Sequence, residues 1–201
     1  MKIDSSFLPS TIKLFRYYKS LGDKTIAELN DEQLHYQPNE ESNSIAILIQ
    51  HISGNAISRF TDFLTTDGEK SNRNRDAEFE SEHRVMNTES DSNRTRRKFT
   101  KTELISHWEN GWACLFNAIE PLTENDLSKI IFIRNEGHTV TEALQRQLAH
   151  YAYHIGQIIY IGKILLNENW KSLSIPRNKS AGFNKERFEK DKERKHFTDR
   201  L

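Results

Sequence analysis

The chain has one cysteine, Cys114, so no internal disulfide is possible, which suits a reducing compartment. It carries no net charge: 29 basic residues balance 29 acidic ones among 201. That balance gives no whole-molecule attraction to nucleic acid or to an anionic membrane. No apolar run approaches the ~18 residues of a membrane span. Met1-Lys2-Ile3-Asp4-Ser5-Ser6 lacks the apolar core of a signal peptide. No internal repeat is visible. A mean hydropathy of −0.77 is polar for a compact domain and leaves room for solvated loop or tail. These absences predict a cytoplasmic protein with one sizeable core, no nucleic-acid partner and no membrane partner.

What is present is helical periodicity. Leu8, Ile12, Phe15, Gly22, Ile26 and Leu29 recur at three, four or seven residues, and Pro9 fits only the first turn of that helix. Leu34 to Asn43 reads as a loop. Ser44 is an N-cap for a second helix, whose buried face is Ile45, Leu48, Ile49, Ile52, Ala56, Phe60, Phe63 and Leu64. Residues 67–98 have almost no apolar periodicity and read as a long polar loop. Their basic cluster, Arg94-Thr95-Arg96-Arg97-Lys98, reads first as solvated charge, with phosphate or nucleic-acid binding as the lesser alternative. Thr100 and Glu103 form a capping box for a third helix striped by Leu104, Trp108, Trp112, Leu115 and Ile119, which Pro121 ends. Lys129 to Arg134 is β-branched and aromatic, and Asn135-Glu136-Gly137 is turn chemistry, so a small hairpin is expected. Thr139 and Glu142 then cap a fourth helix running to about Asn167. The fold predicted is all-α: a four-helix bundle over residues 1–176 with a hairpin before the last helix. Leu173 to Pro176 should lie against the bundle, and 177–201 is a charged tail.

The candidate chemistry lies in the fourth helix. His150 and His154 are four apart, so they project from one face and can reach one ion. Tyr151, Ala152 and Tyr153 stand between them, so this is not the H-E-x-x-H helix of a zinc protease and lacks its general base. Sites in helical bundles are built across facing helices, and His51 sits at the edge of the second helix's buried face. His51, His150 and His154 together make a three-histidine set that leaves one position open, as catalytic rather than structural zinc sites do. Imidazoles suit nickel and iron as well, so one divalent ion per chain (Zn, Ni or Fe) is expected.

These residues carry a resemblance. Asn43-Ser44-Ile45, Gln50 to Asn55, Arg59 to Lys70, Arg73 to Asp76, Gln147 to Ile158 and Ser172 to Arg177 resemble the DinB/YfiT-like superfamily of metal-dependent enzymes, in an uncharacterised bacterial branch. The resemblance spans residues 5 to 184. It implies a four-helix bundle with a divalent metal on His51, His150 and His154, often in a homodimer. The stretch from Ser81 to Lys98 departs from it, being longer and more polar than the branch's usual connection. Better understood relatives use a metal to activate a low-molecular-weight thiol, such as bacillithiol or mycothiol, for transfer to an electrophile or for isomerisation. A thiol brought to such an ion is deprotonated at neutral pH. Metal-assisted hydrolysis by an activated water is the other chemistry that fits.

Each residue also has a plainer explanation. A lone i,i+4 histidine pair is ordinarily just two helix histidines. Asn55 and Arg59, one and two turns past His51, serve either as hydrogen-bonded bundle residues or as groups that orient substrate. Gln157, one turn past His154, is a candidate to support that ligand from behind. No carboxylate stands within a turn of a ligand; Asp62 and Glu142 are the nearest on the same helices. Cys114 reads as a buried inert thiol. Two functions follow: a transferase or hydrolase acting on a small molecule, or a non-catalytic dimeric helical module that binds a metal or ligand.

Overall fold

The computed structural model describes residues 6–86 and 94–200. The fold is mostly helical, with seven α-helices among the described residues. Four are long: α1 (Phe7–Ala27), α3 (Ile45–Phe60), α5 (Lys101–Ile119) and α6 (Val140–Leu166). They share one core, with α3 against α5, α1 against α6, and α3 also touching α6. Short α2 (Asp31–Leu34) precedes α3, α4 (Arg75–Glu78) packs on it, and α7 (Ser180–Phe188) lies in the tail. No helix among the described residues is long and apolar enough to cross a membrane.

The helix α3 is the central element. Thirteen of its 16 residues are buried, so it is covered on nearly all sides rather than along one stripe. Ser44 Oγ accepts the Ile47 N–H and starts it. It stops at Phe60, earlier than its apolar pattern suggests, because Asp62 takes a left-handed backbone (φ 50°). Phe63 still folds back into the core, whereas Leu64 is exposed. Both capping boxes form as the sequence predicts, Thr100 with Glu103 and Thr139 with Glu142. The helix α6 has 27 residues, about 40 Å at 1.5 Å per residue.

A close approach fixes the spacing of α3 and α5. A Cβ added at Gly111 would lie 2.7 Å from the Ser53 Cα, which is backbone and has no rotamer to change. Gly111→Ala should therefore cost stability, about 1–3 kcal/mol from overpacking against a gain of about 1 kcal/mol in helix propensity. A lowered urea midpoint is the expected result; an unchanged or raised midpoint would show that the helices part freely.

The hairpin before α6 is present as β3 (Ile130–Ile133) and β4 (Glu136–Thr139), antiparallel, with Ile133 opposite Glu136. Its turn is Arg134-Asn135 rather than Asn135 to Gly137. Both residues have positive φ (56° and 62°), the two-residue turn whose twist matches the strands. Gly137 falls inside β4.

The 67–98 segment is not the unstructured loop that its lack of periodicity suggests. It contains α4, and β1 (His83–Met86) pairs with β2 (Arg94–Arg97). Elements of four residues are too short to display a period, and α4 is held by its ends, with Asn74 Oδ1 accepting the Ala77 N–H. The part of the loop at 87–93 lies outside the described residues. The tail also has more order than its composition implies. Beyond α7 it returns to α1, where His196 bonds Ser10, Asp199 pairs with Lys13, and Phe197 packs on Tyr17. Of the patch at 173–176, Leu173 packs against the core, while Ile175 and Pro176 are exposed.

Candidate metal centre

The packing of α3 against α6 brings His51, His150 and His154 together. His150 is central. Its Nε2 lies 3.2 Å from His51 Nε2 and 3.0 Å from His154 Nε2. Two imidazole nitrogens bound to one tetrahedral zinc at about 2.0–2.1 Å stand about 3.3 Å apart, so the spacing is that of a shared ion. One ligand-capable atom from each histidine lies within 4.8 Å of the others. His51 and His154 are buried, and His150 is half-buried.

Neutral imidazole is the form that binds a metal. Burial, then the neighbouring His154 and His51, push the His150 pKa down to about 3. Burial also lowers His154, partly opposed by its bond to Gln157. Both rings are therefore uncharged at neutral pH.

Each ring is held from behind through Nδ1. Gln157 Oε1 lies 2.9 Å from His154 Nδ1, and Glu78 Oε2 lies 3.1 Å from His51 Nδ1. Both partners accept, which places the protons on Nδ1 and leaves Nε2 free to ligate. Behind His150, the Gln147 amide is 3.2 Å from Nδ1 and 2.6 Å from the Asn55 side chain. Gln147 Nε2 donates to Asn55 Oδ1, which fixes the amide beside the His150 ring. The donor set, its spacing and its supports fit a divalent ion.

Glu78 is the residue that the sequence reading missed. Asp62 is exposed at the end of α3, and Glu142 is occupied by the Thr139 cap, so neither approaches a ligand. Glu78 arrives on α4, 27 positions after His51. Burial works to raise its pKa, but hydrogen bonds from Arg73 and then His51 prevail and hold it below the ordinary carboxylate value. Arg73 grips it with two contacts of 2.7 Å. Space for this carboxylate comes from Gly54, one turn past His51: a Cβ there would lie 2.8 Å from Glu78 Cδ. Asn74 as a cap, with Arg73 and Glu78 five apart, was the available signal.

Of the proposed supporting residues, Gln157 meets a ligand directly and Asn55 acts through Gln147. Arg59 touches no histidine. It donates to the Gly68 carbonyl, pairs with Glu69 at 3.2 Å, and lines a cavity of about 190 Å³ that reaches His51 and His150. Cys114 is half-buried beside Thr61, outside this cavity.

The β3–β4 turn is moored to the loop after α3. Asp67 accepts the backbone N–H groups of Arg134 and Asn135, each at 2.9 Å, and that of Glu69 at 2.7 Å. Those bonds, Asn135 first and Glu69 next, hold its pKa down at about 2. A depressed folded pKa means that this anchorage is fully present above the unfolded value of about 3.9. It is lost as pH falls through about 2. The Arg134 and Asn135 amide resonances should titrate with that low midpoint. A midpoint near an ordinary aspartate value would break the account.

A family described as "Protein of unknown function (DUF1572)" matches residues 2–179. The chain belongs to this family. The match runs from α1 to the start of the tail and includes all three histidines, Glu78 and the arginines beside them. No curated protein matches the chain.

Proposed function

We propose that this DUF1572 member is a divalent-metal-dependent enzyme of the DinB-like kind, a four-helix bundle with one zinc, nickel or iron ion on His51, His150 and His154. The observation that carries the reading is the cavity: it meets the histidine set on the His51 and His150 side, so a small molecule has access. A structural zinc site, by contrast, would be closed by a fourth protein ligand. An ion held by His51, His150 and His154 would supply Lewis acidity, lowering the pKa of a thiol or water beside it.

The chain's own residues orient and retain. Glu78, Gln157 and Gln147 fix the three rings, and Asn55 backs Gln147. Arg73 keeps Glu78 ionised. Among the described residues no carboxylate lines the cavity, which favours transfer of a low-molecular-weight thiol to an electrophile over hydrolysis needing a general base. A homodimer in the cytoplasm completes the reading.

The test is to incubate metal-loaded and metal-free protein with low-molecular-weight thiols and a chlorinated aromatic electrophile, following thioether formation. Metal-dependent adduct formation is expected. If the loaded protein neither transfers thiols nor hydrolyses ester and amide probes, the non-catalytic binding module replaces the enzyme.

A further inference from the structure

The cavity beside the histidines is walled by five arginines: Arg59, Arg73, Arg75, Arg134 and Arg146. They come from α3, the 67–98 segment, the β3–β4 turn and α6, so no single helix face explains their meeting. Two carboxylates answer them. Glu69 pairs with Arg59, Arg73 and Arg134, and Glu78 with Arg73. Five cations less two anions leaves three positive charges. Neither Arg75 nor Arg146 pairs with any carboxylate among the described residues. Arginines on an open surface are ordinarily just solvated. Here, however, the side chains of Arg59 and Arg73 are only 10% and 6% exposed, and all five converge on one concavity. Like charges gathered in a low-dielectric cleft repel one another and concentrate anions there. Guanidinium groups also match the planar, two-oxygen geometry of phosphate and carboxylate.

We propose that the substrate is an anion, carrying a phosphate or carboxylate group that sits among these arginines while its reacting end faces the histidines. This rests on the metal-centre reading for the reacting end only; the anion subsite follows from the arginines. A volume of about 190 Å³ holds such a group with a few more atoms. Arg75 and Arg146, uncommitted to a carboxylate among the described residues, make the new contacts, and Arg134 is set in place by Asp67.

The experiment is isothermal titration of the full chain at low salt with inorganic phosphate and, separately, succinate. Wild type is compared with Arg75→Gln, Arg146→Gln, the double variant, and Lys185→Gln on the distant α7. Both arginines are exposed and have no carboxylate partner among the described residues, so the variants should fold. Each single substitution is expected to weaken binding about tenfold, with Lys185→Gln unchanged. Tighter phosphate binding marks a phosphorylated substrate, and tighter succinate binding a carboxylate one; either supports the subsite. Equal binding to wild type and the double variant, or no binding of either anion to wild type, overturns it. Uptake of zinc, nickel and iron is measured on the same samples. Arginine-dependent anion binding by a protein that takes up none of the three ions would retain the subsite and refute the metal centre.

Discussion

His150→Ala is expected to empty the site. Purified without a histidine tag, the wild-type chain should hold about one zinc, nickel or iron ion, and the variant none. His150 is the ligand common to both close contacts, so its loss leaves His51 and His154 without the nitrogen between them. The variant should still fold, because His150 is half-buried at the cavity edge and helix-friendly alanine replaces it. Its circular dichroism should match that of wild type. Heat stability separates the two proteins further. At a free ion concentration of a hundred times Kd, binding stabilises the folded state by about 2.7 kcal/mol. Added zinc should therefore raise the wild-type melting temperature and leave that of His150→Ala unmoved. A wild-type protein that takes up none of the three ions would end the metal reading, and with it the enzyme.

Gly54→Ala should leave a folded protein with a much weaker metal site. Alanine in a helix interior is favoured over glycine by about 1 kcal/mol. The new methyl group, however, takes the place of the Glu78 carboxylate, which is the end of a flexible side chain and can swing away. His51 then loses the acceptor that fixes its ring and tautomer. Losing such a partner typically costs about 10–100-fold in metal affinity. Competition with a chelating dye would measure the loss, and the melting temperature of the metal-free protein would report on the fold. Unchanged affinity would mean that Glu78 does not support His51. Glu78→Gln tests the same contact from the other side, and both variants disturb the pairing of Glu78 with the buried Arg73.

The long helices could be read from the sequence because each carries enough turns to show a 3.6-residue period, and Ser44, Thr100 and Thr139 announce their starts. The three histidines were readable for the same reason: His150 and His154 are tied by helix geometry, and His51 lies at the edge of a recognisable apolar face. Glu78, Arg73 and Arg75 were not. Their positions depend on how a polar stretch folds back over α3, and four-residue elements leave no periodic trace. The turn at Arg134-Asn135 was placed one residue too late because Gly137, which looks like turn chemistry, needs no positive φ there. Helix ends depended on single backbone choices, as at Asp62.

His51 and His150 are 99 positions apart. An ion held between them closes that stretch of chain into a ring, as a covalent cross-link would. In the chain-entropy picture, closing a loop of ~100 residues removes about 4–5 kcal/mol of freedom from the unfolded ensemble. That gain is realised only while the ion stays bound to both ends after the core opens. A protein with a single cysteine would thus carry a reversible staple in place of a disulfide. Its resistance to proteolysis would then follow the supply of metal, and a chelator would act on its lifetime as a reductant acts on a secreted protein.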